Sequence, residues 1–265
     1  MPAARDFLVR GLLAGLLAGL FAFGVAYAVG EPSLNAAIAL EDSATGHTAT
    51  EPSSHTHDDG TTHDHTAAPT VVPRWLQSTL GLLTGTVVAG ATLGGLLGML
   101  SALALGRLGA LTPRASTLAV AGLGFVGGYL VPFLAYPPNP PGVGDPGTIG
   151  VRTAAFFSLL AISLIALVTA VLLGRRLAVR IGGWYAFLAT ALGYLVVCTA
   201  AGAAMPRFAE IPDGYPAGLL YDFRLASLAT ALTLWAVLGV ALAEAVHRLT
   251  SRTATPAPAF TGTAS

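Results

Sequence analysis

The chain has 265 residues, 54% of them hydrophobic and only 10% charged, with a net charge of zero and a mean hydropathy of +0.71. Soluble domains carry about a quarter of their residues as charges, so this composition excludes a water-solvated globule and points to an integral membrane protein. Zero net charge offers no global field for nucleic acid, and the single cysteine, Cys198, excludes an intramolecular disulfide.

A helix needs ~20 apolar residues to cross a hydrocarbon core of ~30 Å. Six uncharged runs meet that length: Gly11–Val29, Leu80–Ala104, Ala115–Tyr136, Ala154–Gly174, Trp184–Met205 and Leu225–Ala243. They are too long and continuous for the alternating strands of a membrane barrel. The expected fold is an all-α integral membrane protein, a six-transmembrane-helix bundle in three hairpins.

In the first run Gly11, Gly15 and Gly19 recur every four residues, as do Ala14, Ala18, Ala22 and Ala26. The second run repeats the spacing with Gly90, Gly94 and Gly98. Small residues at that period let two helix backbones approach closely, which predicts a packed pair. "AYAVG" (Ala26–Gly30), behind Arg5 and Arg10, also has the pattern of a signal-peptide cleavage site. Cleavage after Ala28 is the competing reading, against which the apolar run is longer than a usual h-region of ~7–15 residues.

Orientation follows the arginines, since the chain has no lysine. With a cytoplasmic N-terminus, Arg5, Arg10, Arg107, Arg114, Arg175, Arg176, Arg180, Arg248 and Arg252 lie inside, and Arg74, Arg152, Arg207 and Arg224 outside. Positive charge favours the cytoplasmic side, so both termini are expected to be cytoplasmic, in the plasma (inner) membrane. The expected organisation is residues 1–29, the N-terminal segment and first helix; 30–74, an external His/Asp-rich loop, largely disordered; 75–252, helices two to six with ordered outer loops; and 253–265, a disordered cytoplasmic tail.

The first external loop holds "HTATEPSSHTHDDGTTHDHT", with five of the six histidines of the chain. His55 and His57 are two apart, as are His63 and His65, so each pair can close a chelate in extended backbone. His47 and the carboxylates of Asp58, Asp59 and Asp64 add further donors. Mixed imidazole and carboxylate suit Zn, Ni, Co and Cu(II), and the absence of cysteine argues against a closed structural zinc site. The tract reads as an extracytoplasmic capture loop. It cannot select a metal by itself, because a flexible ligand set follows the general affinity order and binds copper best.

The later outer loops, "YPPNPPGVGDPGTIGVR" (Tyr136–Arg152) and "MPRFAEIPDGYPAGLLYDFR" (Met205–Arg224), are fixed by proline and glycine. With Glu31, Asn139, Asp145, Asp213 and Asp222, they are expected to form one outer vestibule. Arg74, Arg152 and Arg224 each begin an even-numbered helix. Together they read either as a ring of charge around the vestibule, paired with Glu31, Asp145 and Asp222, or as interface anchors; for Arg74 snorkelling is the favoured reading. Ion pairing is favoured for Arg152, with Asp145, and for Arg224, with Asp222 nearby. No H-E-x-x-H, G-x-S-x-G or P-loop lysine occurs, so neither an enzyme nor a tightly bound cofactor is expected.

Four stretches resemble the CbtA family: "GEPSLNAAIALE" (Gly30–Glu41), "LQSTLGLLTGTVVAGATLGGLLGML" (Leu76–Leu100), "GFVGGYLVPFLAYPPNPPGVGDPGTIGVRTAAFF" (Gly124–Phe157) and "IPDGYPAGLLYDFRLASLATALTLWAVLG" (Ile211–Gly239). The Pro-rich "YPPNPPGVGDP" is the most specific of them. The resemblance implies a membrane subunit of a cobalt uptake transporter linked to cobalamin synthesis. It also implies a small single-span, histidine-containing partner (CbtB-like), with the divalent ion as cargo, cobalt first and Ni, Zn or Cu as alternatives. The family is commonly described with about five spans, against six read from the residues. The rival from another class is a membrane metal sensor or assembly factor that binds the ion outside without transporting it. In both readings the partners are the ion and the lipid bilayer, and no nucleic acid.

Overall fold

The computed structural model describes residues 3–48 and 72–254. All regular structure among them is helical. Helix α1 (Ala4–Val25) passes through a π turn (Ala26–Gly30) into α2 (Glu31–Thr48). A short α3 (Arg74–Leu76) leads through a second π turn (Gln77–Gly81) into α4 (Leu82–Ala104), and α5 (Pro113–Phe125) through a third (Val126–Leu130) into α6 (Val131–Ala135). A 3₁₀ turn (Pro146–Thr148) opens α7 (Ile149–Ile181), followed by α8 (Gly183–Ala204) and α9 (Ala217–Ala254). Six helical stretches are long and apolar enough to cross a membrane: Ala4–Ser43, Arg74–Ala104, Pro113–Ala135, Pro146–Ile181, Gly183–Ala204 and Ala217–Ser251.

The glycine periodicity is realised as a backbone-to-backbone contact of α1 with α4. A Cβ on Gly19 would lie 2.6 Å from the Thr86 carbonyl oxygen, and one on Gly98 would lie 2.5 Å from that of Phe7. Gly11 meets Gly94 and Gly15 meets Gly90 more closely still, so no larger residue fits this seam. The alanine stripe is buried too, Ala18 completely, in a core that α9 completes with Leu238, Leu242 and Val246. Helix α9 packs on α1 and α5, α7 on α6 and the third π turn, and α8 on α7.

Helix continues past Gly30, where the sequence reading ended the first span. The segment "EPSLNAAIALEDSATGHT" forms α2, with Ala37 fully buried and Glu31 and Ser33 nearly so. Pro32 is tolerated there because proline removes a hydrogen bond to, and clashes with, the carbonyl four residues earlier. That carbonyl, of Ala28, lies in the π turn, where the helix is already widened. Pro132 follows the third π turn in the same way. The last helix likewise starts at Ala217 rather than Leu225, which places Asp222 and Arg224 inside α9.

Candidate functional site

The three π turns converge on one cavity. It has a volume of about 570 Å³ and is lined by Ala26 and Gly30 of the first turn, Gly81 of the second and Tyr129 of the third. Thr86 of α4 and Ser227 and Thr230 of α9 add hydroxyls to an otherwise apolar wall. Tyr129 Oη donates to the Ser227 carbonyl at 3.2 Å, tying α9 to the third turn. π turns are rare and recur at functional sites because they widen the helix and re-aim backbone groups.

Glu31 stands at this cavity with 8% of its surface exposed. Arg74 Nη2 donates to its Oε2 in an ion pair, and Arg74 Nε donates to Asn35 Oδ1 at 3.0 Å. Arg74 is therefore an ion-pair partner of Glu31 and not the snorkelling cation favoured from the sequence. The reason is geometric: the continuation of the helix brings Glu31 and Asn35 onto one face, where both reach the start of the second span.

The expected single vestibule is divided among three places. Glu31 belongs to the π-turn cavity. Asn139, Arg152 and Arg224 line a second, larger cavity of about 1120 Å³ between α6, α7, α8 and the loops, together with Arg207. Asp145 and Asp213 line a shallow third depression with Glu210. Asp222 lines none of these three.

The expected Asp145–Arg152 pair does not form. Arg152 Nη1 instead reaches Glu210 Oε2 at 3.0 Å, and only the Asp145 backbone carbonyl accepts from Arg152 Nη2, at 3.4 Å. The Asp145 carboxylate is taken up locally, accepting from the Gly147 amide at 2.8 Å as the cap of the 3₁₀ turn. Glu210 also accepts from Thr148 Oγ1 at 2.6 Å and from the Asp145 amide at 2.9 Å. These bonds, that of Thr148 foremost, then that of the Asp145 amide, hold its carboxyl below the usual range, and Arg152 adds to the effect. Arg224 is likewise not paired to its sequence neighbour Asp222. It donates to Asn139 Oδ1 at 2.9 Å and to the Pro138 carbonyl at 3.4 Å, joining α9 to the proline loop.

Sequence reasoning missed Glu210, which carries no motif and is recognisable only once the two loops meet. It also missed a buried chain below the larger cavity. Ser163 Oγ donates to the Gly127 carbonyl at 2.9 Å, and Ser163 Oγ and Tyr194 Oη lie 2.8 Å apart, joining α7, the third π turn and α8. "VGGYLVP", a mid-span proline behind two glycines, was the available signal for a carbonyl released there.

His55, His57, Asp58, Asp59, His63, Asp64 and His65 lie outside the described residues, as does the His47 side chain. Among the described residues no group of three His, Cys, Asp or Glu side chains could hold a metal ion. No curated protein and no solved structure matches the chain. Residues 4–247 match the model of the CbtA family, described as a probable cobalt transporter subunit. The chain is thus a multi-pass membrane subunit of a metal transporter, and it belongs to the CbtA family.

Proposed function

We propose that this subunit takes up a divalent cation, cobalt in the first instance, and that the ion passes through the cavity where the three π turns meet. The observation that carries the reading is the buried Glu31 carboxylate, which lines that cavity and is held by Arg74. Glu31 is the cation's first fixed oxygen ligand, and Arg74 is the charge it displaces. The ion pair offsets the desolvation of the carboxylate when no metal is present, and a divalent ion, once it sheds water, attracts the carboxylate more strongly than the single charge of a guanidinium. The hydroxyls and backbone of the π turns then supply further oxygen donors below.

The histidine tract, on the extracytoplasmic side by the arginine bias, collects the ion ahead of this site, with His47, His55, His57, His63, His65, Asp58, Asp59 and Asp64 as donors. The family's description as a subunit supports a partner, for which we propose a small single-span protein with its own histidines. The membrane potential supplies ~4.6 kcal/mol per 100 mV for a divalent ion.

The test is uptake of labelled cobalt, per molecule of protein in the membrane, by cells expressing Glu31→Gln. Loss of uptake at every cobalt concentration is expected. Normal uptake per molecule takes Glu31 off the path. Flux into proteoliposomes that hold this chain with its partner separates transport from sensing or assembly.

A further inference from the structure

The larger cavity has a chemistry opposite to that expected of a cation site. Three arginines, Arg152, Arg207 and Arg224, line it, and no Asp or Glu does. Arg152 is neutralised by Glu210, and Arg224 is held by an amide and a carbonyl, which leave its charge uncompensated. Arg207 has no hydrogen bond or ion pair among the described residues and is exposed. A pocket of about 1120 Å³ with two uncompensated guanidinium groups repels a free divalent cation and attracts an anion.

The rest of the wall is apolar and opens sideways. Leu134 at 72% exposure, Phe157 at 59% and Leu195 at 57% line the same cavity from α6, α7 and α8, all within spans that cross the membrane. Side chains so exposed on a membrane span face acyl chains. Arg152 lies in the first turn of α7, Arg207 just past the end of α8 at Ala204, and Arg224 reaches from α9 to Asn139 and Pro138 in the loop after α6. The site therefore offers cationic donors at headgroup depth above an apolar slot at acyl-chain depth. Arginine matches phosphate oxygens with paired N–H donors.

We infer that this cavity is a binding site for an anionic phospholipid, whose phosphate lies between Arg207 and Arg224 and one of whose acyl chains passes Leu134 and fills the slot beside Phe157 and Leu195. The bound lipid then wedges the α7–α8 pair against α6, where protein contacts are few, and neutralises a charge that otherwise repels the cargo.

The experiment is native mass spectrometry of the purified full chain, given equimolar phosphatidylglycerol and phosphatidylcholine of matched acyl chains. The wild type is expected to retain phosphatidylglycerol preferentially. Arg207→Gln, which breaks no hydrogen bond or ion pair among the described residues, and Arg224→Gln are each expected to lower that preference about tenfold, the loss of one charge-assisted hydrogen bond. Arg107→Gln, at a chain turn away from this cavity, is expected to leave it unchanged. Equal retention of the two lipids by the wild type, or a preference that survives the Arg207→Gln, Arg224→Gln double variant, overturns the inference. Thermal protection by inorganic phosphate as great as that by phosphatidylglycerol assigns the arginines to a soluble anion and overturns the lipid assignment.

Discussion

Arg152 is bound to Glu210, in the loop between α8 and α9, and not to Asp145 in its own loop. The two loops are therefore clasped to one another beside the larger cavity, which Arg152 also lines. Glu210→Gln is expected to unpin both, with faster proteolysis of residues 137–148 and 205–216. Asp145→Ala should cost only the local cap, ~1 kcal/mol, with the interloop clasp retained. Limited proteolysis in detergent distinguishes the two, and equal protection of Glu210→Gln and wild type removes the clasp.

The same carboxylate makes the clasp sensitive to acid. Its pKa is lowered in the folded protein, so its contribution to stability is complete above the unfolded value of ~4.3 and is lost as pH falls through the lower folded value. Loop protection should be flat from neutrality to about pH 5 and fall below the unfolded value. Glu210→Gln should abolish that step, and an identical acid step in the variant assigns it elsewhere.

The α1–α4 seam predicts the largest stability effect of a single methyl group. Gly94→Ala drives a Cβ into the Gly11 carbonyl oxygen, which can be relieved only by moving two helices apart, at ~1–3 kcal/mol or more. Gly24→Ala, on α1 with nothing within 4 Å of its Cβ, should be neutral or slightly stabilising by helix propensity. Thermal unfolding of the two variants in the same detergent checks the contrast.

Ser163 satisfies a carbonyl that the third π turn releases. Ser163→Ala leaves the Gly127 oxygen and Tyr194 Oη without this partner in the span, for ~0.6–1.7 kcal/mol. Tyr194→Phe removes only the second bond and should cost less. Reversal of that order in thermal stability would make the tyrosine, not the serine, the anchor.

Deleting residues 51–66 removes four of the five tract histidines while leaving α2 intact. A capture segment raises local concentration without forming the path. Uptake should therefore fall at low cobalt and recover at saturating cobalt. Complete loss at saturation puts the tract in the conducting site.

Much of the scaffold was legible in the sequence. Apolar run length gave six spans, and small-residue spacing gave the α1–α4 seam, because both are local properties of a helix in lipid. The charge partners were legible only in part: Glu31 stood among the acids weighed against the three arginines, and it does hold Arg74. Asp145, seven residues before Arg152, looked like its partner, but a carboxylate beside Pro146 and Gly147 is better satisfied capping its own turn. Arg74 looked like a snorkelling cation because the sequence offers no sign that Gly30–Pro32 continues the helix. Proline usually ends one, and here a π turn absorbs the clash.

The helix that carries Glu31 at one end and Thr48 at the other also sets where the histidine tract is moored. At 1.5 Å per residue Thr48 stands about 26 Å along the helix from Glu31, whereas the chain re-enters at Arg74, in contact with Glu31 itself. The described chain thus breaks off at the far end of α2 and resumes beside its near end, so the length of α2 sets how far apart those two points stand.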